Sequence, residues 1–159
     1  KSILQYESPI INGDGSYSRD FTYIDNVIQA NELAAITPSD VIRERLNHYF
    51  SHPDSYRELS AYSQQPTANS QEPIMPVFNV AYGQATTLFQ LFDALQSNLA
   101  NYDPKVNEVN VKIGPKREGD IPHSLASVEK IKAVLNYNPK YSAEDGFFEA
   151  CEWYYGHLK

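Results

Sequence analysis

The sequence is poor in sulfur and in positive charge. It has one cysteine and one methionine in 159 residues. A lone Cys151 excludes an internal disulfide, and no metal cluster can be built around it alone. It lies in "FFEACEWYY", which reads as a helix face, so a buried inert thiol is expected. No apolar run reaches membrane-span length, and no signal peptide is seen. These absences fit a reducing compartment and give a cytoplasmic expectation. Lys and Arg total 13 against 20 Asp and Glu, for a net charge of -7. There is no basic run. Neutralising a nucleic-acid backbone takes clustered Lys and Arg, so nucleic acid is not the expected main partner. A small anion needs only a few local arginines and stays open. Internal repeats and low-complexity tracts are also missing.

Apolar residues make up 42% of the chain, enough for one ordinary domain with a core. The first residue is Lys1 and not methionine. "KSILQYESP" reads as the last turns of a helix already under way, with Ile3, Leu4 and Tyr6 on its packing side. The expectation is therefore a piece of a longer chain. Pro9 stops that helix and "PIIN" forms a short strand. "NGDG" supplies turn chemistry, its glycines free to take positive φ. "SRDFTYI" alternates as a strand, and Asp25 is a candidate N-cap for the helix "NVIQANELAAI". "PSDVIRERLNHYFSH" predicts one helix capped by Ser39. The polar stretch after it, without steady period, gives a surface insertion at about 37–74.

"IMPVFNVAYG" predicts a core strand ending at Gly83. "TTLFQLFDALQSNLANY" is a strong amphipathic helix, with Thr87 and Gln90 spaced for a capping box. "EVNVKIG" predicts a strand, "PKREGDIPHSLA" a loop and "SVEKIKAVLNY" a short helix. Ser142 and Asp145 then cap a last helix. The mixed order gives an α/β class, a small unit or the later part of a larger enzyme.

Three constellations could carry chemistry. Arg19 follows the glycine turn in "GDGSYSRDFTYID". It can pair with Asp20 or hold a ligand. Strand neighbours point to opposite faces, so the two side chains should part, and Phe21 could share the face of Arg19. The second is "KREGDIPHS", residues 116–124. Arg117 offers a planar fork suited to phosphate, Asp120 can accept from hydroxyls, and His123 and Ser124 stand beside them. An exposed polar loop is the plainer reading. The third, Tyr155 and Lys159, has the spacing of a dehydrogenase catalytic pair, but without a nucleotide-binding glycine motif before it packing residues are expected. His48 and His52, four apart, lack a third ligand, and no metal is expected.

Together, "SPIINGDGSYSRDFTYIDNVIQANELA", "VFNVAYGQATTLFQLFDAL" and "KREGDIPHSLASVEKIKAVLNYNPKYSAEDGFFEACEWY" resemble the extended short-chain dehydrogenase/reductases. These are Rossmann-type, NAD-dependent nucleotide-sugar epimerases and dehydratases. "NGDGSYSRDFTYIDNV" with "GDIPHSLA" looks most like bacterial UDP-N-acetylglucosamine 4-epimerases of Vi-antigen and O-antigen synthesis. The resemblance covers nearly the whole chain apart from 37–74. It implies that residues 1–159 are the C-terminal substrate-binding part, a small mixed sheet with helices, without the N-terminal NAD-binding Rossmann domain. Arg19 and Arg117 would grip the pyrophosphate of a UDP-sugar, and Asp120 would bond the ribose. Phe21 would sit near the nucleotide, Ile10 to Asn12 would line the uracil pocket, and Gln84 would approach the uridine. Ser124 would leave room for an N-acetyl group beside the sugar. His123 could be a sugar contact or a plain loop residue. No catalytic residue falls in this chain, so it would be inactive alone; the parent would be a homodimer.

Two alternatives stand beside this reading. One keeps the epimerase and changes the substrate to UDP-glucose, a UDP-hexuronate or another nucleotide sugar. The other is a non-catalytic binding module that uses the 37–74 insertion as its contact surface.

Overall fold

The computed structural model of the chain describes residues 1–52 and 76–158. The order is β1 (Ile10–Asn12), β2 (Ser18–Arg19), α1 (Ile24–Ile36), α2 (Ser39–Ser51), β3 (Thr86–Thr87), α3 (Leu88–Ala100), β4 (Lys112–Gly114), α4 (Glu129–Leu135) and α5 (Ala143–His157). Two 3-10 turns, Ile3–Gln5 and Pro104–Glu108, also lie among the described residues. β1 pairs with β4 in parallel and β2 with β3 antiparallel. The class is the expected small α/β unit with mixed pairing.

Two apolar clusters organise these elements. The first gathers Ala30 of α1, Leu46 of α2, Ala81, Val128, and Ile131, Val134 and Leu135 of α4. The second joins Ile3 and Leu4 to Leu99 of α3, Val106, Val109 and Cys151 of α5. Cys151 is buried, and burial pushes its thiol pKa up, which disfavours the thiolate. Asn26, 1% exposed, is a polar member of the interior. Its Nδ2 donates to the Tyr141 carbonyl at 2.7 Å, while Oδ1 accepts from the amides of Lys140 and Tyr141 at 2.9 and 3.2 Å. Both ends of the amide are thus satisfied, and α1 is tied to the lead-in of α5.

Both capping boxes form. Thr87 Oγ1 accepts from the Gln90 amide at 3.2 Å, and Gln90 Oε1 accepts from the Thr87 amide at 2.8 Å. Ser142 Oγ accepts from the Asp145 amide at 3.1 Å, and Asp145 Oδ2 accepts from the Ser142 amide and hydroxyl at 3.0 and 2.7 Å.

Several expectations change. α1 begins at Ile24 with Tyr23 as N-cap, so Asp25 falls inside the first turn, where its charge complements the helix dipole. Ser39 is the first helical residue after Pro38 and does not cap α2. Tyr6 is exposed in a left-handed conformation, although Ile3 and Leu4 are buried as expected. "SRDFTYI" is strand only over Ser18–Arg19, because β3 offers just two partners. No strand forms over 76–83, and Ile74 and Met75 lie outside the described residues. The 37–74 span opens with α2, which packs one side on the core. α2 seats Leu46 at 2% exposure in the first cluster, and Arg45 Nη1 donates to the Val134 carbonyl at 2.9 Å. The rest of that span, 53–74, lies outside the described residues.

The α5 cap yields a pH-dependent prediction. The Ser142 hydroxyl and amide hold the Asp145 carboxyl below its usual range. A depressed carboxyl pKa adds stability above the unfolded value, about 3.9, and loses it as pH falls through the folded value. Ser142→Ala should cost about 1 kcal/mol in urea unfolding at pH 7, and the gap should narrow below about pH 4. A gap unchanged at pH 3 would remove the Asp145 carboxylate from the cap.

Candidate functional site

The glycine turn before β2 is built by close approach. Gly15 has φ of +78°, and a Cβ there would run into the Phe89 ring of α3. The turn brings the chain back along β3, with the Leu88 amide donating to the Tyr17 carbonyl at 3.1 Å. Arg19 then emerges at the end of β2.

The 116–124 loop is fastened alongside this strand. Ser18 and His123 form a parallel bridge. The Ser18 amide donates to the Pro122 carbonyl at 2.9 Å, and the Ser124 amide donates to the Ser18 carbonyl at 3.1 Å. Ser18 Oγ and His123 Nδ1 meet at 3.0 Å. Arg19 Nη1 donates to the Ser18 and Pro122 carbonyls at 2.8 and 3.3 Å. Residues 105 positions apart are thus held side by side.

The result is a cleft of about 460 Å³. Asn12, Arg19, Arg117 and Asp120 line its polar side, with Ile10 and Ile11 next to them. The amide of Asn12 faces Arg117, and its oxygen accepts from Nη2 and Nε at 2.9 and 3.1 Å. Leu88, Leu91, Phe92 and Leu95 of α3 supply an apolar wall. Tyr17 lines the same space, with the Lys116 ammonium 5.6 Å from its ring centre. Tyr17 raises the Lys116 pKa above the ordinary lysine value, so the cation is kept. Two guanidinium groups, a carboxylate and an apolar wall suit an anion with hydroxyls and a flat or apolar end.

Four of the seven candidate residues therefore share one cleft: Asn12, Arg19, Arg117 and Asp120. Phe21, Gln84 and Ser124 lie outside it. β2 ends before Phe21, so the alternation that would align it with Arg19 is lost. Ser124 is exposed and contributes its backbone amide to the bridge with β2. Asp20 turns away from Arg19, its carboxylate accepting from the Gly83 amide at 3.1 and 3.2 Å. Gln84 lines a second cavity of about 450 Å³ between α3 and the start of α5. Asp93 and Glu144 at that cavity disfavour an anion there. The apolar wall from α3 was missed by residue-type reasoning, although the helix periodicity carried the signal. Tyr155 stacks on Tyr102 at 5.1 Å, and its spaced partner Lys159 lies outside the described residues. Among the described residues no group of three or more His, Cys, Asp or Glu could hold a metal ion. No described helix is long and apolar enough to cross a membrane.

No protein-family model matches the chain. Curated and solved proteins do. A probable UDP-glucuronate 4-epimerase of Rhizobium meliloti is 26% identical over 144 residues, 91% of this chain and 36% of its own length. Protein CapI of Staphylococcus aureus is 20% identical over 159 residues, 41% of its own length. The crystal structure of a Thermotoga maritima UDP-glucose 4-epimerase with UDP-glucose superposes with TM-score 0.64 at 28% identity, over 99% of this chain and 38% of that one. A UDP-N-acetylglucosamine 4-epimerase from Methanobrevibacter ruminantium M1 gives TM-score 0.62 at 28% identity, over 98% and 37%. The fold is thus that of one portion of the nucleotide-sugar 4-epimerases, and the chain spans well under half the length of these relatives.

The Ser18 hydroxyl should matter to the loop it holds. Ser18→Ala leaves His123 Nδ1 without its partner and should cost about 0.5–1.5 kcal/mol of stability. Exchange of the Ser124 amide should quicken with it; an unchanged Ser124 amide would show that the backbone bridge holds the loop unaided.

Proposed function

We propose that this chain is the substrate-binding portion of an NAD-dependent nucleotide-sugar 4-epimerase. The observation that carries the reading is the convergence of Asn12, Arg19, Arg117 and Asp120 on one cleft. In it Arg19 and Arg117 grip the pyrophosphate of a UDP-sugar and Asp120 bonds the ribose hydroxyls. Ile10 to Asn12 border the uracil. A doubly anchored pyrophosphate keeps one end of the ligand fixed while the sugar stays free to present either face.

Among the described residues the glycine turn does not fit NAD. The glycine turn at Gly13 and Gly15 leads into the two-residue β2 and not into a helix N-terminus, which a dinucleotide pyrophosphate needs. Cofactor and catalytic base then belong to the rest of the parent enzyme, and the 159 residues alone catalyse no epimerisation.

The sugar is taken as N-acetylhexosamine. The Methanobrevibacter relative, a UDP-N-acetylglucosamine 4-epimerase, supports this; Ser124, outside the cleft, adds no separate support. Surface-polysaccharide synthesis is the corresponding biological setting. A UDP-hexuronate is the second reading, favoured by the Rhizobium relative.

UDP titrated into the chain by calorimetry tests the cleft. Arg117→Ala should weaken binding by about 1.5–3 kcal/mol, the range for hydrogen bonds to a charged group. An unchanged affinity removes Arg117 from the site. The complete parent enzyme should prefer UDP-N-acetylglucosamine to UDP-glucose; the reverse order overturns the N-acetylhexosamine reading.

A further inference from the structure

Lys116 opens the 116–124 loop and has no part in the grip described above. Its place is set by a tight ladder. β4 ends at Gly114, where a Cβ would come within 2.7 Å of the Asn12 side chain and 2.8 Å of the Ile10 side chain. The Gly13 amide donates to the Gly114 carbonyl at 3.1 Å. Two residues further on, Lys116 is therefore delivered beside the glycine turn. Its ammonium stands 5.6 Å from the centre of the Tyr17 ring, within cation–π range. Tyr17 is 9% exposed and lines the cleft. Its ring lies beneath Gly13, where an added Cβ would be 3.7 Å away. The cation thus has an aromatic seat at the mouth of the cleft.

The charges around that seat decide what it does. Asp14 and Asp120 both act on Lys116. Asp14 is engaged in the turn, its Oδ1 accepting from the Ser16 amide and hydroxyl at 2.9 and 2.5 Å. Asp120 lines the cleft with Arg19 and Arg117. Two guanidinium groups and two carboxylates balance in number, so of these five groups it is Lys116 that leaves the mouth of the cleft positive. In a chain of net charge -7 that last charge sets the sign of the local field. An ammonium is a compact, strongly hydrated point charge on a flexible stem. It is suited to act through space, where a guanidinium fork is suited to hold.

We propose that Lys116, seated on Tyr17, is a third cation of the cleft, which draws in a diphosphate ester and sets its affinity without gripping it. The inference rests on the cleft being a nucleotide-sugar site and adds a determinant of its affinity for charged ligands.

Calorimetric titration of UDP into the chain and its variants, at about 0.01 M and about 1 M salt, tests it. The Debye length falls from about 30 to about 3 Å over that range. Lys116→Gln should weaken UDP binding roughly threefold to tenfold at low salt, and the gap should close to under about twofold at high salt. Lys116→Arg should keep the original affinity to within about twofold. Asp14→Asn removes a negative charge from the same place and should tighten binding at low salt, a gain that a damaged fold does not produce. An unchanged affinity in Lys116→Gln overturns the inference. So does a loss that salt does not narrow, which makes Lys116 a direct contact, and an equal loss in Lys116→Arg, which makes its role one of shape. Arg117→Ala separates the two levels. If it weakens UDP binding while Lys116→Gln does not, the cleft stands and the third cation is rejected; if the unaltered chain binds no UDP at either salt, both are rejected.

Discussion

The short parallel register between Ser18 and residues 122–124 is the constraint on which the cleft depends. Each wall of the cleft is local: the glycine turn presents Arg19, and the 116–124 loop presents Arg117 and Asp120. The first is seated by buried Tyr17 and the close approach of Gly15 to Phe89, while the 116–124 loop is exposed along most of its length. Two backbone hydrogen bonds, one hydroxyl–imidazole contact and the Arg19 side chain convert them into one surface. Ser18 is 6% exposed, so its own end of these bonds is shielded from competing water.

The two apolar clusters play different parts around this joint. The second packs α3 against α5 and supplies the rigid wall under the cleft. The first holds α1, α2 and α4, with Asn26 linking it to the α5 lead-in through an amide bonded at both ends. A buried amide with all these partners made fixes a geometry that apolar contacts alone leave loose.

What the sequence revealed follows the reach of each interaction. Both capping boxes were legible because donor and acceptor lie three residues apart. The arginines were legible as residue types with a turn or breaker beside them. Their meeting was not, since pairing across 105 residues leaves no local trace. α2 was legible as a helix, but its core side was not, since buried Leu46 and Tyr49 and the packed Ile42 and Phe50 are spread among polar neighbours. "VFNVAY" was read as a strand on a sound local pattern, and the ladder it needs is absent among the described residues. Phe21 followed from an alternation that the two-residue β2 does not sustain. Gln84 and Ser124 rested on resemblance, which gives sequence position and not direction of a side chain.

The partners that hold the two guanidinium groups have a consequence of their own. Arg19 is gripped by two peptide carbonyls and Arg117 by the amide of Asn12. All three acceptors are uncharged. Each arginine is therefore fixed in direction without having its charge cancelled, as a carboxylate partner would do. In a chain of net charge -7 this leaves a small positive well inside a negative field. An anion arriving there meets a charge already aimed, and among the described residues no carboxylate is paired with those two groups.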